Sequence, residues 1–114
     1  MRHELIYNKD DVAVLQIIGQ IEYEDRDVFS TQLNKLTEQE KRLIFLDLAS
    51  TNYIGSAGIG VIAQFHKRFN SKGYNFYLLN TQEEIKKIFQ NIGLGNIINF
   101  AEGAYEDVIK ETRL

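Results

Sequence analysis

The sequence predicts an α/β domain, and three observations carry that prediction. First, Leu43-Ile44-Phe45-Leu46 is apolar without alternation, as in a strand covered on both faces. Second, the residues after it change to helical spacing, with Ile59, Ile62, Ala63, His66 and Phe69 recurring along one stretch. Third, further short apolar runs alternate with capped helical segments to the end of the chain.

Taken in order, Leu5-Ile6-Tyr7 reads as a first strand. Asn8-Lys9-Asp10-Asp11 is a four-residue polar connection into a second, Val12 to Ile18, which is hairpin grammar. Gly19 ends that strand. Gln20-Ile21-Glu22-Tyr23 then leads into a helix over about 24–40, with Val28, Phe29, Leu33 and Leu36 on its apolar face and Glu24, Asp25 and Asp27 in its first turn. The Leu43 strand follows, then a helix from Ser56 or Ala57 to about Asn70, closed by Lys72-Gly73. Phe76 to Leu79 is another strand. Thr81 and Glu84 have the spacing of a capping box for a helix carrying Ile85, Ile88, Phe89 and Ile92, which Gly93 stops. Gly95-Asn96 turns into a short strand at Ile97-Ile98, and a last helix covers 104–112 with Val108 and Ile109.

Composition narrows the function. A chain of 114 residues with 44% apolar content is expected to form one domain over 1–114 with a single core. It has no cysteine, so thiolate chemistry is excluded, and two histidines give no expectation of a metal site. The net charge is -3 with scattered lysines and arginines, so nucleic acid is not an expected partner. No apolar run approaches the ~20 residues of a membrane span, and a cytoplasmic protein is the expectation.

Enzymatic constellations fail one by one. Ser56 lies between Gly55 and Gly58, whereas a nucleophile elbow needs glycine two residues to either side, and Ile54 fills the first of those places. The glycines at 55, 58 and 60 miss the dinucleotide fingerprint, and no Gly-Lys-Ser/Thr follows them. His66 reads as a core-edge histidine and Asp47 as an acceptor for the amides of the following loop. Glu22 is either an exposed first-turn acid or a neighbour of the Ser56 loop. Ser56 itself stands at a helix start, where a hydroxyl can cap amides and an anion is tolerated. Gly58 and Gly60 each weaken a helix by about 1 kcal/mol, which implies a close approach of the sheet from below or of a partner from outside. Val61 and Phe65 add apolar surface beyond one helical face, implying deep burial or a partner-binding patch.

The order of elements, with Gly19-Gln20-Ile21-Glu22, Leu46-Asp47-Leu48, Tyr53 to Gly60, Lys72-Gly73 and Ile92-Gly93-Leu94, resembles the bacterial anti-anti-sigma factors. These are the single-domain branch of the STAS family shared with sulphate transporters. The resemblance implies a STAS-like mixed sheet with helices mainly on one face, no cofactor, and binding rather than turnover. It also implies phosphorylation at Ser56 by a serine-kinase anti-sigma factor, a histidine-kinase-like ATPase, and reversal by a PP2C-type phosphatase. With the helix-face reading above, the expected partner surface comprises Glu22, Gly55, Ser56, Ala57, Gly58, Gly60, Val61 and Phe65, and a monomer is expected when free. Three positions depart from the family pattern: Gly55 and Glu22 stand where aspartates are usual, and Ala57 where a second serine is frequent. The rival readings are a constitutive STAS scaffold of a transport or sensory complex, in which Ser56 only caps, and a small nucleotide-binding enzyme.

Overall fold

The computed structural model describes residues 1–113. Its elements run β1 (Arg2–Lys9), β2 (Val12–Ile18), a one-turn 3-10 helix (Tyr23–Asp25), α1 (Arg26–Glu38), β3 (Leu43–Ser50), α2 (Ser56–Ser71), β4 (Asn75–Leu79), α3 (Glu83–Asn91), β5 (Asn99–Ala101) and α4 (Tyr105–Arg113). The strands lie side by side in chain order. β1 pairs antiparallel with β2, and the remaining neighbours are parallel, so the sheet is mixed.

Alternate residues of the central strands serve two cores. Ala13, Leu15, Ile44, Leu46, Leu48, Phe76 and Leu78 pack under α1, α2 and α3 through Phe29, Leu33, Ile62, Phe65, Phe69, Ile85 and Phe89. Val12, Val14, Leu43, Phe45 and Leu79 face the other way, against Val108 of α4. Helices therefore lie mainly on one face, and the unalternating Leu43 run is covered on both, as expected.

Four boundaries differ from the sequence expectation. The hairpin is tighter: β1 continues to Lys9, which pairs with Val12, and Asp10 takes a left-handed φ of 55°. Groups beyond the hairpin enforce this, since the Lys41 Nζ ammonium donates to the Asp10 carbonyl at 2.6 Å and the Arg42 and Leu43 backbone amides donate to that of Asp11. The first helix begins as a 3-10 turn and then bends into α1, which leaves Val28 exposed rather than on the core face.

The Thr81 capping box is not made. Gln82 is the N-cap of α3, Thr81 is buried with its hydroxyl unpaired, and the Gln82 side-chain amide donates to the Ala49 carbonyl instead. Ile97-Ile98 is not a strand either. Both amides donate to the Leu94 carbonyl in a turn, Ile98 enters the core, and pairing with β4 starts at Asn99.

The two glycines of the α2 start separate cleanly. A Cβ on Gly58 would lie 2.8 Å from Ile21 Cγ2 and 2.9 Å from Ile54 Cγ1, whereas one on Gly60 would meet nothing within 4 Å. Gly58→Ala is therefore expected to lower the thermal midpoint, because overpacking of about 1–3 kcal/mol outweighs the gain in helix propensity. Gly60→Ala is expected to raise it, by about 1 kcal/mol in stability. Parallel thermal melts of both variants check the pair.

His66 is buried on α2 with Nδ1 unpaired, and that burial holds its pKa below the ordinary value. The unfolded chain then takes up the proton first, so stability is fully present above about pH 6.5 and falls as pH drops toward the depressed folded value. Urea midpoints compared at pH 7.5 and below 6 should show this loss in the parent chain and a smaller one in His66→Gln.

Candidate functional site

The candidate site forms where β2 and β3 end side by side. After β2, Gly19 turns the chain with a φ of 95°, a conformation that disfavours side chains, and donates its amide to the Ser50 carbonyl. After β3 the loop is fixed from inside. Asp47 Oδ1 accepts the Ala49 amide at 2.9 Å, in the role its sequence position suggested. Thr51, fully buried, donates its hydroxyl to the Ile17 carbonyl at 3.0 Å.

The two chains then pair once more. Ile21 and Ile54 form an isolated parallel bridge: the Ile21 amide donates to Tyr53, and the Gly55 amide donates to Ile21, both at 2.9 Å. This bridge sets Glu22 and Tyr23 beside the start of α2. Glu22 is anchored in turn, its amide donating to Asp25 Oδ2 at 2.9 Å across the 3-10 turn.

Gly55, not Ser56, is the N-cap of α2, with extended backbone and no side-chain cap bond. Ser56 is the first helical residue. Its side chain is exposed and makes no hydrogen bond among the described residues, so the plain capping role does not hold. The amides of Ser56, Ala57 and Gly58 precede the first intrahelical bond, from Ile59 to Gly55, and have no acceptor within the helix.

An open cleft of about 330 Å³ lies over this helix start, lined by Glu22, Tyr23, Glu24, Tyr53, Gly55, Ser56 and Ala57. It contains two carboxylates and no cation. Arg26, just beyond Glu24 in the chain, stacks over the Tyr23 ring at 5.3 Å and pairs with Asp27 at 3.4 Å. The cleft's carboxylates would repel a free nucleotide, and beyond the amides of the helix start the lining offers phosphates no positive partner.

Of the sequence candidates, Glu22, Gly55, Ser56 and Ala57 meet in this cleft. Gly60 and Val61 are half-buried farther along α2. Two candidates are corrected. Phe65 is only 2% exposed, stacks on Phe69 and meets Phe76 edge to face, so it belongs to the core. Gly58 is buried too, its space taken by Ile21 and Ile54. Spacing misled here because the buried stripe of α2 runs through positions 58, 62, 65, 66 and 69, turned about the helix axis from the 59, 62, 63, 66 and 69 set that the sequence suggested. Two exposed aromatics, Tyr23 and Tyr53, were missed as site residues; at 68% and 47% exposure they flank Ser56. Their one sequence signal was adjacency to Glu22 and Ile54.

Comparison with known proteins agrees with this geometry. The chain is similar to the anti-sigma-B factor antagonist of Staphylococcus epidermidis, 23% identical over 94 residues covering 82% of this chain and 87% of the relative. Its fold is similar to a putative anti-sigma factor antagonist from Thermotoga maritima, with a TM-score of 0.83, 22% identity and coverage of 99% and 94% of the two chains. Its fold is also similar to that of SpoIIAA, a Bacillus cell fate determinant. The unphosphorylated form superposes with a TM-score of 0.80 at 15% identity, covering 98% of each chain. The phosphorylated form does so at 0.79 and 17%, covering 97% of this chain and 99% of the other. A STAS-domain family model matches residues 5–107, and the chain belongs to the STAS-domain family.

Proposed function

We propose that this chain is an anti-sigma factor antagonist acting in the cytoplasm as one STAS domain. With Ser56 unmodified it captures a serine-kinase anti-sigma factor of the histidine-kinase-like ATPase type; phosphorylated on Ser56, it lets that partner go. A PP2C-type phosphatase resets it. The observation that carries the reading is the Ser56 hydroxyl, exposed and unbonded at the first residue of a firmly held helix. The printed names of the relatives support it, as does the likeness to SpoIIAA in both phosphorylation states.

The local physics makes such a modification effective without unfolding. A phosphate adds a charge of about -1.5 to -2, and the helix dipole with its free first-turn amides accepts an anion at that place. The fold loses nothing, since Ser56 contributes no internal bond. The outer surface changes greatly: the new charge joins Glu22 and Glu24 in a cleft without a cation, and its bulk stands between Tyr23 and Tyr53. Docking through Gly55, Ala57, Gly60, Val61 and the two tyrosines would then be blocked. The departures at 55 and 57 leave Glu22 and Glu24 as the acids nearest Ser56, so a kinase matched to this chain reads those instead.

Two measurements test the proposal. Intact-mass analysis of the protein from its native host, with fragmentation, should place one phosphate on Ser56; its absence across growth conditions would favour the constitutive scaffold. Once the kinase is identified, Ser56→Asp should weaken its binding by about ten-fold or more, a loss of roughly 1.4 kcal/mol, with the thermal midpoint nearly unchanged. A large fall in that midpoint would contradict the reading.

A further inference from the structure

A second concavity, of opposite character, lies well along α2 from Ser56. It occupies about 520 Å³ between Ala63, His66 and Lys67 of α2 and Leu94, Ile97 and Ile98 of the α3–β5 loop. That volume falls in the ~300–1,000 Å³ range of small-molecule sites. Its loop is held in shape. The Ile97 and Ile98 amides share the Leu94 carbonyl, Gly93 has a φ of 84°, and a Cβ at Gly95 would press on Gln90. Ile98 is buried at the base, while Ile97 leaves 53% of its surface open.

The polar groups of the lining are few: the Lys67 ammonium, the Asn70 amide, the His66 imidazole and the Ser71 hydroxyl, which already donates to the Arg68 carbonyl; no carboxylate lines the cleft. Lys67 is exposed and has no acidic partner among the described residues. His66, kept neutral by burial, has an Nδ1 that no group of the fold satisfies. An apolar trough with one unpaired cation at its rim complements an apolar body ending in one negative charge. It offers too little positive charge for a polyphosphate.

We propose that this cleft binds a small carboxylate-bearing amphiphile, its hydrocarbon against Leu94, Ile97 and Ile98 and its carboxylate at the Lys67 ammonium. The site is independent of Ser56 and of the switch built on it. Free carboxylate is the ligand chemistry, not a bilayer surface.

The test is a titration of the full chain, ¹⁵N-labelled, with octanoate and with 1-octanol as its uncharged counterpart. Octanoate should shift the amides of Ala63, Lys67, Leu94 and Ile97 and bind about five-fold more tightly than octanol, the worth of one good exposed charge pair. Lys67→Gln, at an exposed position, should abolish that preference and leave octanol binding as it was. Ala63→Phe, which fills the trough, should remove both; intact sheet resonances would verify its fold, and Ala63→Leu replaces it otherwise. Equal affinity for the two probes, a preference that survives Lys67→Gln, or shifts scattered over the surface would overturn the proposal. So would shifts of the loop with phosphatidylglycerol vesicles but not with octanoate, which would assign the patch to a membrane.

Discussion

The bridge between Ile21 and Ile54 is the contact on which the rest of the site depends. β2 and β3 have already separated when those two residues pair, and a single pair of backbone bonds rejoins them beyond the sheet. Both isoleucines then lie under the first turn of α2, and Gly58 is what lets the helix come that close. The helix start is fixed in position without using the Ser56 side chain. A hydroxyl left out of the fold's own bonding is free to be changed, and the change is felt at the surface and not in the core. On the proposed reading, stability and signalling rest on different atoms of one turn.

The same helix carries contrasting surroundings at its two ends. Near its start the cleft is acidic and flanked by exposed tyrosines. Toward its C-terminal half, Lys67, Arg68 and Lys72 stand beside clefts without carboxylates. Arg68 is itself oriented, bonding Asn34 of α1 at 2.9 Å and lying over the Phe65 ring. Partners of different chemistry therefore have separate places to bind, and a charge added at Ser56 acts mainly on whatever docks at the acidic end, since screening by salt reaches about 8–10 Å.

How much of this was legible in the sequence depended on whether the signal was local. Strand β3, the start of α2, the stop at Gly73 and the role of Asp47 could all be read, because each rests on periodicity, backbone preference or a turn within a few residues. What was missed was decided by distant contacts. Thr81 looked like a cap, yet its side chain is drawn into the core and Gln82 takes over. Ile97 and Ile98 looked like a strand, but one carbonyl, that of Leu94, curls them into a turn. Phe65 looked surplus because the face that α2 buries is centred on positions 58, 62, 65 and 69, rotated from the one the apolar spacing suggested. Within the site, Ser56, Glu22 and Gly55 were found, and Tyr23 and Tyr53 were not, since only the Ile21–Ile54 pairing brings those rings to the same cleft.

The central claim is that charge at Ser56 alters a surface and spares the fold. Amide hydrogen exchange on the chain carrying phosphoserine at position 56, compared with the unmodified chain, tests it most directly. The account predicts changes confined to residues 22–24 and 53–61, with the slow amides of β2, β3 and β4 unaltered. Faster exchange across those strands would mean that the phosphate works by loosening the domain, and would contradict the account.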